Sequence, residues 1–156
     1  MKTIITKSGH GVIVDDETHD WIGQRRLWVV RRYPYIMHEG KEIRLHRILM
    51  GNPAGLEVDH INRNPLDCRK ENLRVATHQQ NSRNVSKRKN ASSKYKGVSW
   101  HASKAEKPIH WKWQARIQYG GKLINIGSFR NEEQAARAYD AAAINYFGEF
   151  AAVNFA

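Results

Sequence analysis

The sequence has one cysteine, few acidic residues and no long apolar run, and the first and last of these shortages each exclude a class of protein. Because Cys68 is the single cysteine among 156 residues, an intramolecular disulfide framework and a multi-cysteine zinc ribbon are excluded. The apolar runs extend over only a few residues, too few to cross a bilayer. The first residues also lack the apolar core of a secretory signal, so we expect an intracellular protein without membrane attachment.

The shortage of acidic residues makes the chain strongly basic. It contains 26 lysines and arginines against 15 aspartates and glutamates, which gives a net charge of +11 and an isoelectric point near 10.0. Such a surplus favours a polyanionic partner, and nucleic acid is the first candidate. A length of 156 residues is sufficient for one ordinary domain or two small ones, and too short for a large enzyme.

The positive charge is concentrated in the middle of the chain. Between Arg63 and Lys96 there are ten basic residues and two acidic ones, a local net charge of +8. Within this segment, residues 82–93 are polar and show neither helical nor alternating apolar periodicity, which is typical of a linker. We therefore predict a domain over residues 1–85, a basic linker over 86–94 and a second domain over 95–156.

The first fifty residues alternate short apolar segments with turns and predict a scaffold of small strands and helices. The predicted elements are a hairpin of Ile4–Thr6 with Val12–Val14, a helix over Asp15–Trp21, strands over Leu27–Arg31 and Tyr33–Met37, and a strand that becomes helical over Ile43–Met50. In Leu45-His46-Arg47, we favour a packing or hydrogen-bonding role for His46 over contact with DNA.

Residues 57–84 carry the pattern that indicates chemistry. They predict a strand, a polar loop, a second strand and a helix capped by Thr77. This arrangement can bring Asp59 and Asn81 together as oxygen ligands for a hard divalent ion such as Mg²⁺. His60 lies on the opposite face of the first strand, from where its imidazole could deprotonate a water that attacks phosphorus.

The same segment resembles the H-N-H endonuclease family, in the subgroup of phage and intron-encoded homing enzymes. The residues that match are Val58, Asp59, His60, Ile61, Asn62, Asn64, Pro65, Leu66, Asp67, Arg69, Asn72, Leu73, Arg74, Ala76, Thr77, Asn81 and Asn84. The resemblance implies a ββα-metal fold in which Asp59 and Asn81 bind Mg²⁺ or Mn²⁺. It also implies that His60 is the general base and that Asn72 orients the loop next to it. The alternative is a decayed site that is retained as a DNA-binding scaffold.

The last sixty residues predict a small sheet packed on one helix. Ala115 and Ile117 alternate with Gln114, Arg116 and Gln118, so one face is apolar and the other polar. Flanking strands over 95–101 and 122–126, with Gly120-Gly121 as a tight turn, complete a three-stranded antiparallel sheet. A helix follows, capped by Asn131 and ended by Gly148, with an alanine-rich stripe that allows close packing.

This segment resembles the AP2 DNA-binding domain along nearly its whole length. The matches are Tyr95-Lys96-Gly97-Val98, Trp113, Ala115, Ile126-Gly127-Ser128-Phe129, residues 133–143 and Asn154-Phe155. In that family the polar face of the sheet enters the major groove. The resemblance therefore implies DNA contacts at Lys96, Ser99, His101, Lys112, Gln114, Arg116, Gln118 and Asn125. At Ser99, His101, Arg116, Gln118, Leu123 and Asn125 the chain departs from the plant relatives, so the target sequence does not carry over.

Two alternatives concern this second module. The aromatic residues Trp111, Trp113 and Tyr119 could stack on unpaired bases of a single strand, although they share the face needed to pack on the helix. The polar face could also be an ordinary solvated surface. The adjacent basic segment favours DNA contact, and we expect Arg83, Lys87, Arg88 and Lys89 to follow backbone phosphates.

Together these patterns predict an α+β protein that is a metal-dependent, site-recognising DNA endonuclease of the homing type. Its substrate is expected to be double-stranded DNA. A non-catalytic DNA-binding regulator is the alternative. We expect a monomer or homodimer without an obligatory protein partner, in the bacterial cytoplasm and encoded by a phage. The sequence leaves open the target site and whether one or both strands are cut.

Overall fold

The computed structural model describes residues 1–85, 91–100 and 113–155, and it divides the chain into two compact units. The N-terminal unit is Met1–Ser82 and the C-terminal unit is Arg83–Ala156. Both units combine short antiparallel strands with few helices, which confirms the α+β class. Of the helices that the structure describes, none has the length and apolar character needed to span a membrane.

The N-terminal unit is built from three small sheets and three short helices. In chain order the elements are β1 (Lys2–Ile5), β2 (Gly11–Val14), α1 (Asp16–Ile22), β3 (Leu27–Val30), β4 (Tyr33–His38), β5 (Lys41–Arg44), α2 (Leu45–Leu49), β6 (Glu57–His60), β7 (Leu73–Ala76) and α3 (His78–Asn81). The sheets are the β1–β2 pair, the three strands β3–β4–β5 and the β6–β7 pair, all antiparallel.

Apolar side chains from β2, α1, β3, β4 and α2, together with Cys68 of the β6–β7 loop, form the core of this unit. Its buried members are Val12, Val14, Ile22, Leu27, Ile36, Leu45 and Cys68. Burial raises the pKa of the Cys68 thiol to about 12, so this cysteine is an inert core residue at neutral pH. Cys68 therefore contributes to the packing of the core and not to a reactive site.

The loop between β6 and β7 is fastened to β2 by backbone hydrogen bonds. The Ile13 amide donates to the Leu66 carbonyl at 2.8 Å, and the Cys68 amide donates to the Ile13 carbonyl at 2.8 Å. Ile13 and Asp67 consequently form an isolated parallel bridge. This attachment holds the polar loop that follows His60 against the scaffold formed by the first residues of the chain.

The described strands and helix of the C-terminal unit form one three-stranded antiparallel sheet with a long helix against it. The strands are β8 (Val98–Trp100), β9 (Trp113–Tyr119) and β10 (Lys122–Phe129), with β9 in the centre, and the helix is α4 (Glu132–Phe147). The Asn131 side chain accepts a hydrogen bond from the Glu133 amide at 2.7 Å, which confirms the predicted cap. The core consists of Val98, Ala115, Ile117, Ala135, Ala136, Tyr139 and Ala143.

A buried carboxylate fastens the last residues to this unit. Asp140 accepts hydrogen bonds from the backbone amides of Asn154 at 2.8 Å and Phe155 at 3.0 Å, and from the Asn154 side chain at 2.9 Å. The Asn154 carbonyl oxygen Oδ1 accepts from the Lys96 amide at 2.6 Å. Asn154 therefore links α4 to the segment that leads into β8.

Candidate functional site

Asp59 and His60 are the last two residues of β6 and point to opposite faces of the strand. Asp59 lies opposite Arg74 of β7 in the ladder, and its Oδ2 accepts from the Arg74 guanidinium at 2.7 and 2.9 Å. His60 faces the other way, with its ring centroid 4.8 Å from that of His46 and 6.3 Å from that of Tyr33. The alternation of a strand therefore separates a carboxylate from an imidazole, as the sequence predicts.

His60 is buried beside the rings of His46 and Tyr33. Its side chain is almost covered, and its Nε2 atom is enclosed by protein. Burial lowers the pKa of His60, which the nearby carboxylates of Asp59 and Asp67 partly counteract. The imidazole is therefore neutral at neutral pH, the form that accepts a proton.

Asn81 lies at the end of α3 and is held by Glu57, the first residue of β6. Its Nδ2 donates to Glu57 Oε2, and His78 Nδ1 lies 2.8 Å from Glu57 Oε1. Hydrogen bonds from Asn81 and His78 lower the pKa of Glu57, so this carboxylate is ionised. Glu57 and Asp59 are two residues apart on one strand and share a face, so Asn81 and Asp59 lie on the same side of the hairpin.

The one-turn helix that carries Asn81 begins with the predicted cap. Thr77 Oγ1 accepts from the Gln80 amide at 3.2 Å, while the Gln80 side chain accepts from the Thr77 amide at 2.8 Å. This reciprocal capping box starts the helix directly after β7, which places Asn81 beside the hairpin.

Asn72 closes the loop that begins after His60. Its Oδ1 accepts from the Asn62 amide at 3.0 Å, and its Nδ2 donates to the Asp67 carbonyl at 2.8 Å. The Asn72 carbonyl also accepts from the Ile61 amide at 2.9 Å. Because these bonds join both sides of the loop next to His60, Asn72 restrains the backbone that carries the imidazole.

Three residues outside the predicted set shape this site. The first is Arg74, which binds Asp59. The second is Asp67, a buried residue whose carboxylate accepts hydrogen bonds from Arg69 Nε and Nη2, each at 2.8 Å. Hydrogen bonds from Arg69 lower the pKa of Asp67, so the loop between β6 and β7 carries an ionised carboxylate. The third is Glu57. The alternation of β6 could have identified Glu57 from the sequence, whereas Arg74 requires the register of the hairpin.

Arg47 fixes the loop that leads into β6. Its guanidinium donates to the Asn52 side chain at 2.9 Å, the Pro53 carbonyl at 2.8 Å and the Leu56 carbonyl at 3.0 Å. Of the Leu45-His46-Arg47 motif, Arg47 therefore stabilises the entry to the Asp-His strand, and His46 packs against His60.

His46 is a buried histidine whose titration should weaken the fold in acid. Its Nδ1 has no hydrogen-bond partner among the described residues. Burial, and then the charges of His60, Arg44 and Arg47, lower its pKa from 6.5 to about 3. Because the unfolded chain takes up the proton first, the stability from neutral His46 is complete above pH 6.5 and is lost as the pH falls toward 3.

We predict that acidification from pH 7 to pH 5 costs the N-terminal unit about 2 kcal/mol through His46. Hydrogen exchange of the amides of β4 and β6 at the two pH values measures this loss. His46→Phe should flatten the pH dependence by that amount, whereas His10→Gln, at an exposed histidine, should leave it unchanged. An equal slope in all three proteins would contradict the prediction.

The C-terminal unit presents the predicted polar face on the side of the sheet opposite α4. In the ladder Ser99 pairs with Gln114, Arg116 pairs with Asn125, and Gln118 pairs with Leu123, so these side chains share one face. The Arg116 guanidinium donates to Gln114 Oε1. The other face, with Val98, Ala115 and Ile117, packs on α4.

Two predicted DNA contacts have structural partners within this unit. The Lys96 ammonium donates to the Arg83 carbonyl at 2.6 Å. The Arg83 guanidinium lies over the Phe147 ring at 4.7 Å and the Tyr119 ring at 5.8 Å. Lys87, Arg88, Lys89, His101, Lys112 and the aromatic Trp111 lie outside the described residues.

The donor chemistry on one side of the β6–β7 hairpin suits a hard divalent ion. Asp59 supplies a carboxylate and Asn81 an amide oxygen, both of which are ligands that Mg²⁺ and Mn²⁺ accept. Within the part of the chain that the structure describes, no three His, Cys, Asp or Glu side chains cluster as a metal site. Asp59 and Asn81 stay the candidate ligands that the sequence predicts.

Comparisons with known proteins show similarity to two kinds of protein. Residues 51–83 match a family model described as HNH endonuclease, and this segment contains Asp59, His60, Asn72 and Asn81. An uncharacterised HNH endonuclease of Acanthamoeba polyphaga mimivirus is 39% identical over 128 residues, which is 78% of this chain and 62% of the viral protein.

Other relatives of the chain are plant transcription factors. An ethylene-responsive transcription factor of Arabidopsis thaliana is 42% identical over 65 residues, which is 40% of this chain and 14% of that factor. An AP2-like ethylene-responsive transcription factor of the same plant is 45% identical over 65 residues and is covered over 10% of its length. The chain thus spans less than two thirds of each of these relatives.

Proposed function

Because the chain joins an HNH endonuclease segment to an AP2-like segment, we propose that it is a metal-dependent DNA endonuclease that recognises its site in double-stranded DNA. The observation that carries the proposal is the β6–β7–α3 arrangement. It separates Asp59 and Asn81 on one side from the neutral imidazole of His60 on the other. These are the parts that metal-assisted phosphodiester hydrolysis requires.

In this proposal Asp59 and Asn81 would hold Mg²⁺ or Mn²⁺ through their oxygen atoms. The bound ion would stabilise the charge that develops on the phosphate and on the leaving oxygen. Arg74, which is paired with Asp59, would orient the carboxylate from the β7 side. The hairpin and the capped helix thus serve as a ββα-metal unit.

His60 acts as the general base. It takes a proton from a water whose oxygen forms a bond to phosphorus, while the bond from phosphorus to the 3′ oxygen breaks. The departing 3′ oxygen takes up a proton from solvent water, so the products carry 5′-phosphate and 3′-hydroxyl ends. Because Nε2 of His60 is enclosed by protein, we infer that the base works through Nδ1. Asn72 supports this step as a positioning residue, since it restrains the loop next to His60.

The C-terminal unit supplies the recognition of the site. Its sheet is proposed to be AP2-like and to place its polar face in the major groove, where side chains read base edges. The proposed contacts are Lys96, Ser99, His101, Lys112, Gln114, Arg116, Gln118 and Asn125. Arg83 and the basic residues Lys87, Arg88 and Lys89 would follow phosphates, which gives an affinity that falls with salt. The proposed modules are 1–85, the linker 86–94 and 95–156.

The homing character, the phage origin and the bacterial setting are parts of the same proposal. They follow from the resemblance of residues 58–84 to phage and intron-encoded enzymes. The protein would act as a monomer or homodimer, and a homodimer would allow both strands to be cut. The virus in which the HNH relative occurs is consistent with a mobile, virus-borne enzyme.

One observation favours a second function. The buried ion pair of Asp59 with Arg74 occupies a carboxylate oxygen of the proposed metal ligand, since Oδ2 accepts two bonds from the guanidinium. A chain that kept this pair permanently would be a DNA-binding regulator with an inactive HNH scaffold. The two functions differ in whether any divalent ion supports cleavage.

Incubation of the full chain with supercoiled plasmid and genomic phage DNA separates these functions. With Mg²⁺ or Mn²⁺ we expect nicked or linear products, and with EDTA none. Asp59→Asn should abolish cleavage, although the new side chain still offers an oxygen acceptor to Arg74. The control Asp20→Asn, at an exposed aspartate, should leave cleavage unchanged. Tight, salt-sensitive binding without product under any condition would instead support the regulator.

The polar face of the C-terminal sheet allows a test of recognition. Arg116→Ala should lower the discrimination between the preferred site and unrelated DNA by about 1–3 kcal/mol, because one forked contact with a base is lost. Arg116→Lys should keep the salt dependence of binding but not the discrimination. Binding isotherms on both DNAs at several salt concentrations measure both quantities. Lys122→Gln, on the same sheet but off this face, should retain the preference.

A further inference from the structure

We propose that Glu57 is a positioning residue that turns the side-chain amide of Asn81 so that its Oδ1 faces the divalent ion. This inference rests on the proposed function, since it concerns the metal site on the β6–β7–α3 arrangement. It assigns a role to a carboxylate that lies outside the set of ligands and bases described above.

The first step of the argument is the direction of the amide. Asn81 Nδ2 donates to Glu57 Oε2. In a planar amide the oxygen and the nitrogen point to different sides, so a bond that holds Nδ2 on Glu57 directs Oδ1 away from that carboxylate. An Asn amide that is not restrained could turn either atom toward a cation, and only the oxygen is a ligand.

The second step is the place of Glu57 on the strand. Glu57 and Asp59 share a face of β6, with one residue between them. The amide that Glu57 holds is therefore kept beside Asp59, the carboxylate of the proposed metal pair. The spacing of a strand puts neighbouring side chains on one face within reach of a common ion and its waters.

The third step is the way Glu57 holds the helix. Its second oxygen, Oε1, lies 2.8 Å from His78 Nδ1, and His78 is the first residue of α3 while Asn81 is the last. One carboxylate thus fastens both ends of this single turn to β6. The capping box of Thr77 and Gln80 forms the turn, and Glu57 determines how it is oriented on the strand.

A Mn²⁺ titration of the full-length protein, followed by the electron paramagnetic resonance of free Mn²⁺, tests the proposal with three variants. Glu57→Gln keeps an oxygen acceptor at the same distance without the charge, so its Mn²⁺ affinity should stay close to that of the wild type. Glu57→Ala removes the acceptor for Asn81 Nδ2, and Glu57→Asp moves it away because the side chain is one methylene shorter. Both variants should bind Mn²⁺ about 10- to 100-fold more weakly. Glu17→Gln, an exposed site in the same unit, controls for the loss of one charge.

Retained affinity in Glu57→Ala would overturn the proposal. The proposal would also be overturned if Glu57→Asp kept its Mn²⁺ affinity and Glu57→Gln lost it. That result would show that the charge of Glu57 supports metal binding and that its hydrogen bond to Asn81 does not. The side-chain amide resonances of Asn81 give a second measurement, which should shift in Glu57→Ala and Glu57→Asp and remain in place in Glu57→Gln.

The outcomes also separate this inference from the proposed function. Mn²⁺ binding that depends on Glu57 as described, without cleavage of any DNA, would leave the positioning role intact and refute the nuclease. Cleavage with an unchanged Mn²⁺ affinity in all three variants would support the nuclease and refute the role of Glu57. A wild-type protein that bound no Mn²⁺ would overturn both.

Discussion

Replacing His60 with alanine is expected to lower the rate of DNA cleavage by about 10²–10⁴-fold, the usual contribution of a positioned general base. DNA affinity should stay within a few-fold of the wild type, because the substitution removes a neutral base and no cationic side chain that would bind phosphate. Single-turnover cleavage of plasmid DNA and a binding isotherm in EDTA measure the two effects separately. Retained cleavage would refute the role of His60 as base.

Three controls make the His60 result specific. Added imidazole should restore part of the rate in His60→Ala, because the substitution leaves a space next to His46 into which a free base can enter. His10→Gln, at an exposed histidine, should cleave as the wild type does. Hydrogen exchange of β6 should show that the hairpin remains folded, so that loss of activity is not loss of structure.

Replacing Gly97 with alanine is expected to destabilise the C-terminal unit by about 2–5 kcal/mol, the sum of backbone strain and overpacking. Gly97 has φ of +74°, where an L side chain is strained, and an added Cβ would overlap the ring of Tyr139. Tyr139 is a buried member of the core, so its ring has little room to move. Urea unfolding followed by the amide resonances of β9 and α4 measures the loss.

Gly121 provides the matched control for this prediction. It has φ of +76°, and an added Cβ would meet no atom within 4 Å. Gly121→Ala should therefore cost only the backbone strain, about 1–2 kcal/mol. Equal destabilisation by the two substitutions would contradict the claim that contact with Tyr139 dominates. Because the unit carries the proposed reading face, Gly97→Ala should also lose the site preference.

The ion pair of Asp59 with Arg74 bears on how the site would be used. Both side chains are largely buried, so removal of either partner would leave a charge without compensation. This is why Asp59→Asn is a cleaner test than Asp59→Ala. It also means that an ion bound at Asp59 must share that carboxylate with the guanidinium.

Local signals explain what could be predicted from the sequence about the fold. The helix α4 begins and ends where Asn131 and Gly148 indicate, and the Gly120-Gly121 turn joins β9 to β10. Thr77 caps α3 as expected. Each of these features depends on residues that are close in sequence, so propensity and capping are sufficient. The N-terminal hairpin was predicted to begin at Ile4, but β1 is Lys2–Ile5, because bonds between Thr6 and His10 close the turn.

The site was predictable as a set of residue types and not as a set of contacts. The motif of residues 57–84 by itself gave Asp59, His60 and Asn81 as candidates for chemistry, and the resemblance to the H-N-H family added Asn72. The segment that matches the HNH model contains all four residues. The α+β class, the basic charge and the polar alternation of β9 also follow directly from the sequence. These properties are local, so they do not depend on how distant segments meet.

Only the tertiary structure decided which side chains touch. The register of β6 on β7 pairs Asp59 with Arg74, α3 brings Asn81 to Glu57, and α2 places His46 against His60. The loop after His60 meets β2 through the Ile13–Asp67 bridge. These contacts join segments between 14 and 54 residues apart, and their geometry depends on strand register, packing and burial rather than on local preference.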